Sequence, residues 1–275
     1  MAETTDSVMV QTRYGRMLAL RGDRYITRCL QAYGEYCEAE ADLFRQIVGP
    51  GMTVVEAGAN IGVHTLMLAR ACAPGRLIAF EPQQRVFQLL CANLALAEIG
   101  TVTALPEALG AQAGVAEMPP VDYAADGNFG SISPLAAGAG AWAEGRTVRV
   151  TPLDDLALTA CDVLKVDVEG WEAQALRGAR ETIARCRPIL YVENDRASHQ
   201  AELIALIDEL GYVQYWHVAP LFSPANFNGA TQDFTGAVAS LNMLCVPRER
   251  DWTVTGFERI DPLDWRSPLT PIGAG

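Results

Sequence analysis

The sequence predicts an α/β fold: one mostly parallel, Rossmann-like sheet with helices on both faces. Three observations carry the prediction. First, the β-branched run Thr53-Val54-Val55 reads as a buried strand. It leads through Glu56-Ala57-Gly58-Ala59-Asn60-Ile61-Gly62 into a helical pattern from Val63 to Arg70, so strand, glycine turn and helix follow one another. Second, Leu77-Ile78-Ala79-Phe80 reads as the next strand and ends in Glu81-Pro82. Third, strand and helix patterns keep alternating to Val246, the order that folds into parallel βαβ units.

Ahead of that core, residues 8–20 read as a short hairpin turning at Tyr14-Gly15. Residues 23–49 carry two helical patterns broken near Gly34, the second from Glu35 to Val48 with Leu43, Phe44 and Ile47 on one face. Residues 1–50 are therefore expected to form a hairpin and helical cap, 51–248 the main domain and 249–275 a tail wrapping the surface. After Glu81 a helix is expected over Gln83–Ala97, with Val86, Leu89, Leu90, Asn93 and Leu94 in helical spacing. Thr101–Leu105 reads as the third strand, followed by Pro106-Glu107-Ala108-Leu109-Gly110. Residues 111–146, rich in Ala, Gly and Pro, form an insertion with a strand near Val115–Met118 and a turn at Asp126–Gly130. Thr147–Thr151 and Asp162–Val168 read as strands, Glu169 to Arg185 as one helix, and Pro188–Val192 as a strand. Ser198 is the expected cap of a helix ending at Leu210-Gly211. Two last strands, Tyr212–Val218 and Ala239–Val246, flank an aromatic and Asn-rich loop.

The 275 residues are half hydrophobic, enough for one sizeable domain with additions. The formal net charge is 21 − 33 = −12 with no basic run, which argues against a nucleic-acid partner. Seven cysteines stand singly, without a Cys-x-x-Cys pair, and read as small buried hydrophobes in a reducing, cytoplasmic setting. The start, MAETTDSVMV, lacks the pattern of a signal peptide, and no apolar stretch approaches membrane-span length, so no membrane partner is expected. Among 21 basic residues only Lys165 is a lysine.

The glycine turn points to a ligand. Such a turn lets backbone approach a nucleotide-like molecule, and the helix N-terminus behind it offers free N–H groups. Glu81, about twenty residues further on, stands where a carboxylate meets ribose hydroxyls. The dinucleotide pattern is Gly-x-Gly-x-x-Gly, whereas here Glu-x-Gly-x-Asn-x-Gly carries an acid inside the motif. That acid suits a ligand with a cationic amino-acid end, S-adenosylmethionine (SAM), better than the pyrophosphate of NAD.

Four blocks taken in order are more specific than any one turn. They are Val55 to Gly62, then Phe80-Glu81-Pro82, then Thr151-Pro152-Leu153-Asp154-Asp155-Leu156, then Leu164-Lys165-Val166-Asp167-Val168-Glu169-Gly170-Trp171-Glu172. Together with Asn242-Met243-Leu244-Cys245-Val246-Pro247, the sequence over about residues 35–248 resembles the FkbM-type methyltransferases. The resemblance implies the seven-stranded class I methyltransferase sheet, with its last strand antiparallel, and SAM-dependent methyl transfer to a hydroxyl of a sugar or natural-product small molecule. The expected partners are that small-molecule acceptor and a second copy of the chain in a homodimer. An N-methyltransferase usually carries Asn/Asp-Pro-Pro-aromatic after the fourth strand, and Asp167-Val168-Glu169-Gly170 does not match it. A non-catalytic SAM-binding regulatory module is a further alternative.

In that reading Glu56 holds the SAM amino group, Gly58 and Gly62 let backbone pass the ligand, and Asn60 takes a left-handed turn. Glu81, next to Pro82, meets the ribose, Glu107 and Ala108 sit where adenine lies, and His64 meets either the SAM carboxylate or the acceptor. Asp167, also beside the cofactor, and Glu193 stand at strand ends, where a hydroxyl acceptor would lose its proton to a base. Asp167, Glu193 and Asn194 together resemble the magnesium site of catechol-type O-methyltransferases, which makes Mg2+ a candidate cofactor. Lys165 alternates with Asp167 and Glu169 on one strand face and either orients the acceptor or pairs with Asp167, Glu56 or Glu81. His217, at the end of a late strand, is a further candidate base. The insertion and the 219–236 loop are expected to frame the acceptor pocket through Asn128, Phe129, Phe222, Asn226 and Phe227.

Overall fold

The computed structural model describes residues 6–133 and 146–268. The first five residues, residues 134–145 in the last third of the predicted insertion and the last seven residues of the tail lie outside the described residues. The chain opens with a hairpin, β1 Ser7–Thr12 and β2 Gly15–Leu20, in which Thr12 pairs with Gly15. Arg13-Tyr14 is thus the two-residue turn, one position before the expected one. Helices α1 Ile26–Tyr33 and α2 Glu38–Ile47 follow, and Gly34 ends α1 at a φ of 70° that glycine adopts without strain.

The central unit is β3 Thr53–Ala57, α3 Val63–Cys72, β4 Arg76–Phe80, α4 Gln84–Leu96 and β5 Val102–Leu105. Next come β6 Glu107–Leu109, β7 Gly114–Met118 and β8 Arg146–Thr151, which pair in the order β6-β8-β7 as a small sheet of their own. The second half runs β9 Val163–Val166, α5 Glu172–Arg177, α6 Arg180–Cys186, β10 Ile189–Glu193, α7 Gln200–Glu209, β11 Tyr212–Pro220, β12 Ala239–Pro247 and the two-residue β13 Glu258–Arg259.

The main sheet has the order β13-β11-β12-β10-β9-β3-β4-β5. Strands β5, β4, β3, β9 and β10 are parallel, β12 lies antiparallel between β10 and β11, and β11 again runs in the parallel direction, which is the class I methyltransferase topology with β13 added at its edge. Strand alternation splits the core into two layers. Val54, Leu77, Val163 and Tyr191 face α2, α3, α4 and the hairpin, while Val55, Ile78, Leu164 and Leu190 face α5, α6 and α7. The cap is continuous with the first layer, since Met17, Leu30 and Phe44 share one cluster with Leu66 and Leu90.

Two elements depart from the sequence pattern for tertiary reasons. The helix expected from Glu169 to Arg185 is two. A Cβ on Gly178 would lie 1.9 Å from the Gly110 carbonyl, so backbone packs on backbone there. Asp154 then accepts the Thr182 and Glu181 N–H groups at 2.7 and 3.0 Å, capping α6 from a distant part of the chain. Ser198 is not the cap of α7; His199 occupies that position, with no side-chain cap bond. Conversely, Asn93 sits on the apolar face of α4 because it bridges elements: it accepts from Leu18 N–H and donates to the Leu18 and Ile61 carbonyls. All seven cysteines are free; Cys91 is exposed and Cys186 half-buried, the other five buried. No helix among the described residues is long and apolar enough to cross a membrane.

Candidate active site

The sheet reverses its winding between β3 and β9. In open α/β sheets the crevice at the carboxyl ends of such strands binds ligands. A cavity of about 280 Å³ opens there, lined from the glycine turn, the strand ends, α2 and the segment leading into β12. Gly58 has a φ of 82°, and a Cβ on it would come within 1.7 Å of the Asp167 carbonyl. The neighbouring strand end therefore requires this glycine, whatever ligand passes it. Gly62 lies off the cavity. Its φ of 93° opens α3, and a Cβ would meet Leu90 at 2.8 Å, so it serves packing and not ligand approach.

Glu81 lines the cavity and organises the turn, accepting Asn60 N–H at 2.9 Å and Gln83 N–H at 2.8 Å. Asn60 takes the left-handed conformation at φ 49°. Pro82, Glu107 and Ala108 line the same end of the cavity, beside Leu109 and Gly130.

The floor is ionic. Glu56, Lys165, Asp167 and Glu193 stand on one face of neighbouring strands. Lys165, 1% exposed, places its Nζ 3.0 Å from Asp167 and 3.9 Å from Glu56. It does not reach Glu81. Burial pulls the ammonium down, but Asp167, Glu56 and Glu40 outweigh it and leave it above its ordinary value. Glu56 also accepts from the Thr65 hydroxyl at 2.7 Å, and burial raises its carboxyl to about 7 despite Lys165.

Beyond the floor, oxygens of Asp167, Glu169 and Glu193 lie within 4.8 Å of one another. Burial and then the Asp167 charge raise Glu169 to about 8, although Arg196 holds it at 2.7 Å. The same causes push Glu193 well above the carboxylate range, and its Oε2 is buried without a hydrogen-bond partner. Asn194, expected as a metal ligand, is not part of this trio. Alternation turns it to the other sheet face, where its Nδ2 donates to Met243 Sδ at 3.3 Å. Glu169 takes the place expected of it, because a φ of 60° folds the chain back after β9. His217 is also outside the cavity: it bonds Tyr191 Oη through Nδ1 at 2.8 Å and packs edge-on against Phe257.

The cap supplies a wall that sequence reasoning missed. Tyr36 and Glu40 line the cavity next to His64 of α3, and Asn242 of β12 donates to both Glu40 and Ser240. Burial depresses His64 to about 3, so it is a neutral imidazole, and its Nε2 has no partner. Its 3.9 Å approach to Glu40 is therefore no ion pair. The helical pattern hid Glu40, since its position is set only by α2 docking across the strand ends.

The predicted acceptor loops are only partly in place. Asn128 lines the cavity, but Phe129 is buried core against Tyr123. Phe227 is exposed over Arg13, Phe222 packs on Tyr33, and Asn226 ties its own loop by bonding Ser223 and Ala230. Leu221 and Val238 to Ser240 line the cavity instead.

The buried acids have a consequence for stability. Glu40, Glu56 and Glu81 are each raised to about 7, chiefly by burial. Between about pH 6.5 and 8 the folded His64 and His217 are neutral while the unfolded chain sheds the last of their protons, an opposite contribution that is smaller than that of the three acids. The folded state then binds more protons than the unfolded chain, so stability falls as pH rises. The ligand-free protein is expected to melt at lower temperature at pH 8 than at pH 6.5; a flat or rising melting profile over that window would contradict it.

The family model "Methyltransferase FkbM domain" matches residues 56–213. No curated protein matches the chain significantly. Among solved structures it is similar to a methyltransferase FkbM from Methylobacillus flagellatus, at 18% identity and a TM-score of 0.45 over 81% of this chain. The chain spans 55% of that protein's length. It is also similar to a SAM-dependent methyltransferase from Agrobacterium tumefaciens, at 11% identity and a TM-score of 0.47, covering 90% of this chain and 72% of that one. A third is a putative rRNA methylase from Clostridium thermocellum, at 14% identity and a TM-score of 0.42, covering 82% of this chain and 97% of that one.

Proposed function

Because this chain belongs to the FkbM methyltransferase family, we propose that it transfers a methyl group from SAM to a hydroxyl of a sugar or natural-product small molecule. The observation that carries the reading is one cavity holding both halves of the chemistry. The glycine turn with Glu81 lies at one end, and the carboxylates of Asp167, Glu169 and Glu193 lie at the ends of adjacent parallel strands.

SAM fits the polar atoms present. Glu81 keeps lone pairs for ribose hydroxyls, the β6 backbone at Glu107-Ala108 offers an edge for adenine, and unpartnered buried acceptors await donors at the far end. When bound, SAM supplies an electrophilic methyl on a cationic sulfur. The chain's own part is alignment and proton removal. Asp167 and Glu193 face the space an acceptor hydroxyl would occupy, and a carboxylate crowded by its neighbours takes a proton more readily than an isolated one. A net charge of −12 and these acids weigh against a polyanionic acceptor. The sequence after β9, Asp167-Val168-Glu169-Gly170, weighs against an N-methyltransferase.

Calorimetric titration is expected to show binding of SAM and of its demethylated product, S-adenosylhomocysteine (SAH), and not of NAD. Glu81→Ala should weaken SAM binding by about 1–3 kcal/mol, the cost of charge-assisted hydrogen bonds. Binding of NAD without SAM would overturn the reading, and labelled SAM with polyhydroxylated acceptors would find the substrate.

The carboxylate trio favours a second means of activation. Magnesium would be held by Asp167, Glu169 and Glu193 and would lower the pKa of an acceptor hydroxyl. Loss of turnover on chelation, restored by magnesium, supports it; turnover indifferent to chelator leaves the proton to the carboxylates.

A further inference from the structure

We propose that Glu40, on the N-terminal cap, is the residue that binds the ammonium group of the SAM amino-acid end, with His64 beside it. This rests on the SAM reading above. It moves the role expected of Glu56 to a residue outside the matched segment 56–213.

Of the two acids, the unpartnered buried carboxylate oxygen belongs to Glu40 and not to Glu56. The Glu56 carboxylate is set into the floor, its Oε2 accepting from the Thr65 hydroxyl at 2.7 Å and its Oε1 facing the Lys165 ammonium at 3.9 Å, so its charge already has a partner. Glu40 is 2% exposed and lines the cavity. Its Oε1 accepts weakly from Asn242 Nδ2 at 3.3 Å, the Cys37 thiol lies against the carboxylate, and its Oε2 has no hydrogen-bond partner. His64, 7% exposed and neutral, adds a second unpartnered atom, Nε2, on the same wall. A buried acceptor without a donor is costly, and native structures rarely keep one unless a ligand completes it. An ammonium carries three N–H donors and one positive charge, and so satisfies both atoms.

Position selects the amino-acid end. Glu81, Pro82, Glu107 and Ala108 line the cavity where β4 ends and β6 begins. Glu40 lies across it, bonded to Asn242 of β12. A ligand with its nucleoside at the first end would carry its amine toward the second. The cap helix α2 then becomes part of the cofactor site.

Glu40→Gln keeps shape and the Asn242 contact but removes the charge. Three probes separate the outcomes: SAH, its deaminated analogue, and methylthioadenosine, which lacks the amino-acid end. Wild-type protein should bind SAH about ten- to a hundredfold tighter than the deaminated analogue. Glu40→Gln should lose that factor for SAH, bind both alike, and hold methylthioadenosine as wild type does. Without ligand it should melt at or above the wild-type temperature, because one of three buried acids that share the single Lys165 ammonium has been neutralised. A variant that still discriminates SAH from its deaminated analogue overturns the proposal. So does one with unchanged SAH affinity and a raised KM for the acceptor, which would place Glu40 on the acceptor. A variant that melts lower or loses methylthioadenosine as well shows a structural role and overturns it too. If wild-type protein binds none of the three, the SAM reading itself has failed.

Discussion

Lys165→Met is expected to destabilise the folded protein by about 3–5 kcal/mol, the range for breaking a buried ion pair from one side. The lysine is 1% exposed and is the one ammonium among Glu56, Asp167 and Glu40. Methionine nearly fills its volume, so packing is largely kept and the loss is electrostatic. Part of it is recoverable by protonation. Glu56 and Glu40 already sit at about 7, and without the lysine they rise further. A raised carboxyl adds stability below its unfolded pKa and loses it as pH climbs through the folded value. The variant should therefore approach wild type near pH 5 and fall furthest behind near pH 8. Urea unfolding at both pH values checks this; midpoints matching wild type at pH 8 would show that Lys165 does not neutralise the floor.

Asp167→Asn is expected to cut turnover on the true acceptor about a hundredfold or more, at saturating SAM, if the carboxylate takes the acceptor proton. The substitution keeps shape and still offers an oxygen to Lys165. Asp167 is the accessible member of the trio, its side chain 30% exposed, whereas Glu193 is buried. Wild-type turnover should rise with pH toward the alkaline side, because Glu169 titrates at about 8 and Glu193 above the ordinary range, and a base works only once deprotonated. The variant should lose rate, and its alkaline limb should move to lower pH because the Asp167 charge that raises Glu169 and Glu193 is gone. Single-turnover measurement from pH 6.5 to 9 separates this from a binding defect. Near-normal turnover would show that alignment alone drives the reaction and that the trio is structural.

The placement of these residues shows where sequence reasoning reached and where it stopped. Glu56, Lys165, Asp167 and Glu193 were legible because strand side chains alternate, so short apolar runs put their acids on a known face and at a known end. The same alternation was misapplied at Asn194, one residue past Glu193 and hence on the opposite face. Glu169 and Glu40 could not be placed this way. One follows a left-handed backbone turn after β9, and the other lies on a helix whose docking angle no local pattern encodes. Phe129 failed for a related reason: an aromatic in a polar loop signals burial but not which cavity or core receives it.

By itself the sequence determined the α/β class, the order of strands and helices, the glycine turn and its acids. Each depends on interactions between near neighbours in the chain, or on a period of two or of three to four residues. Only the tertiary structure decided what those acids face. Lys165 binds Asp167 and Glu56 rather than Glu81, Gly178 splits a helix by meeting Gly110, and the cap brings Glu40 to the cavity. Those outcomes depend on distances between segments far apart in sequence, and on desolvation that exists only once the layers have closed over the site.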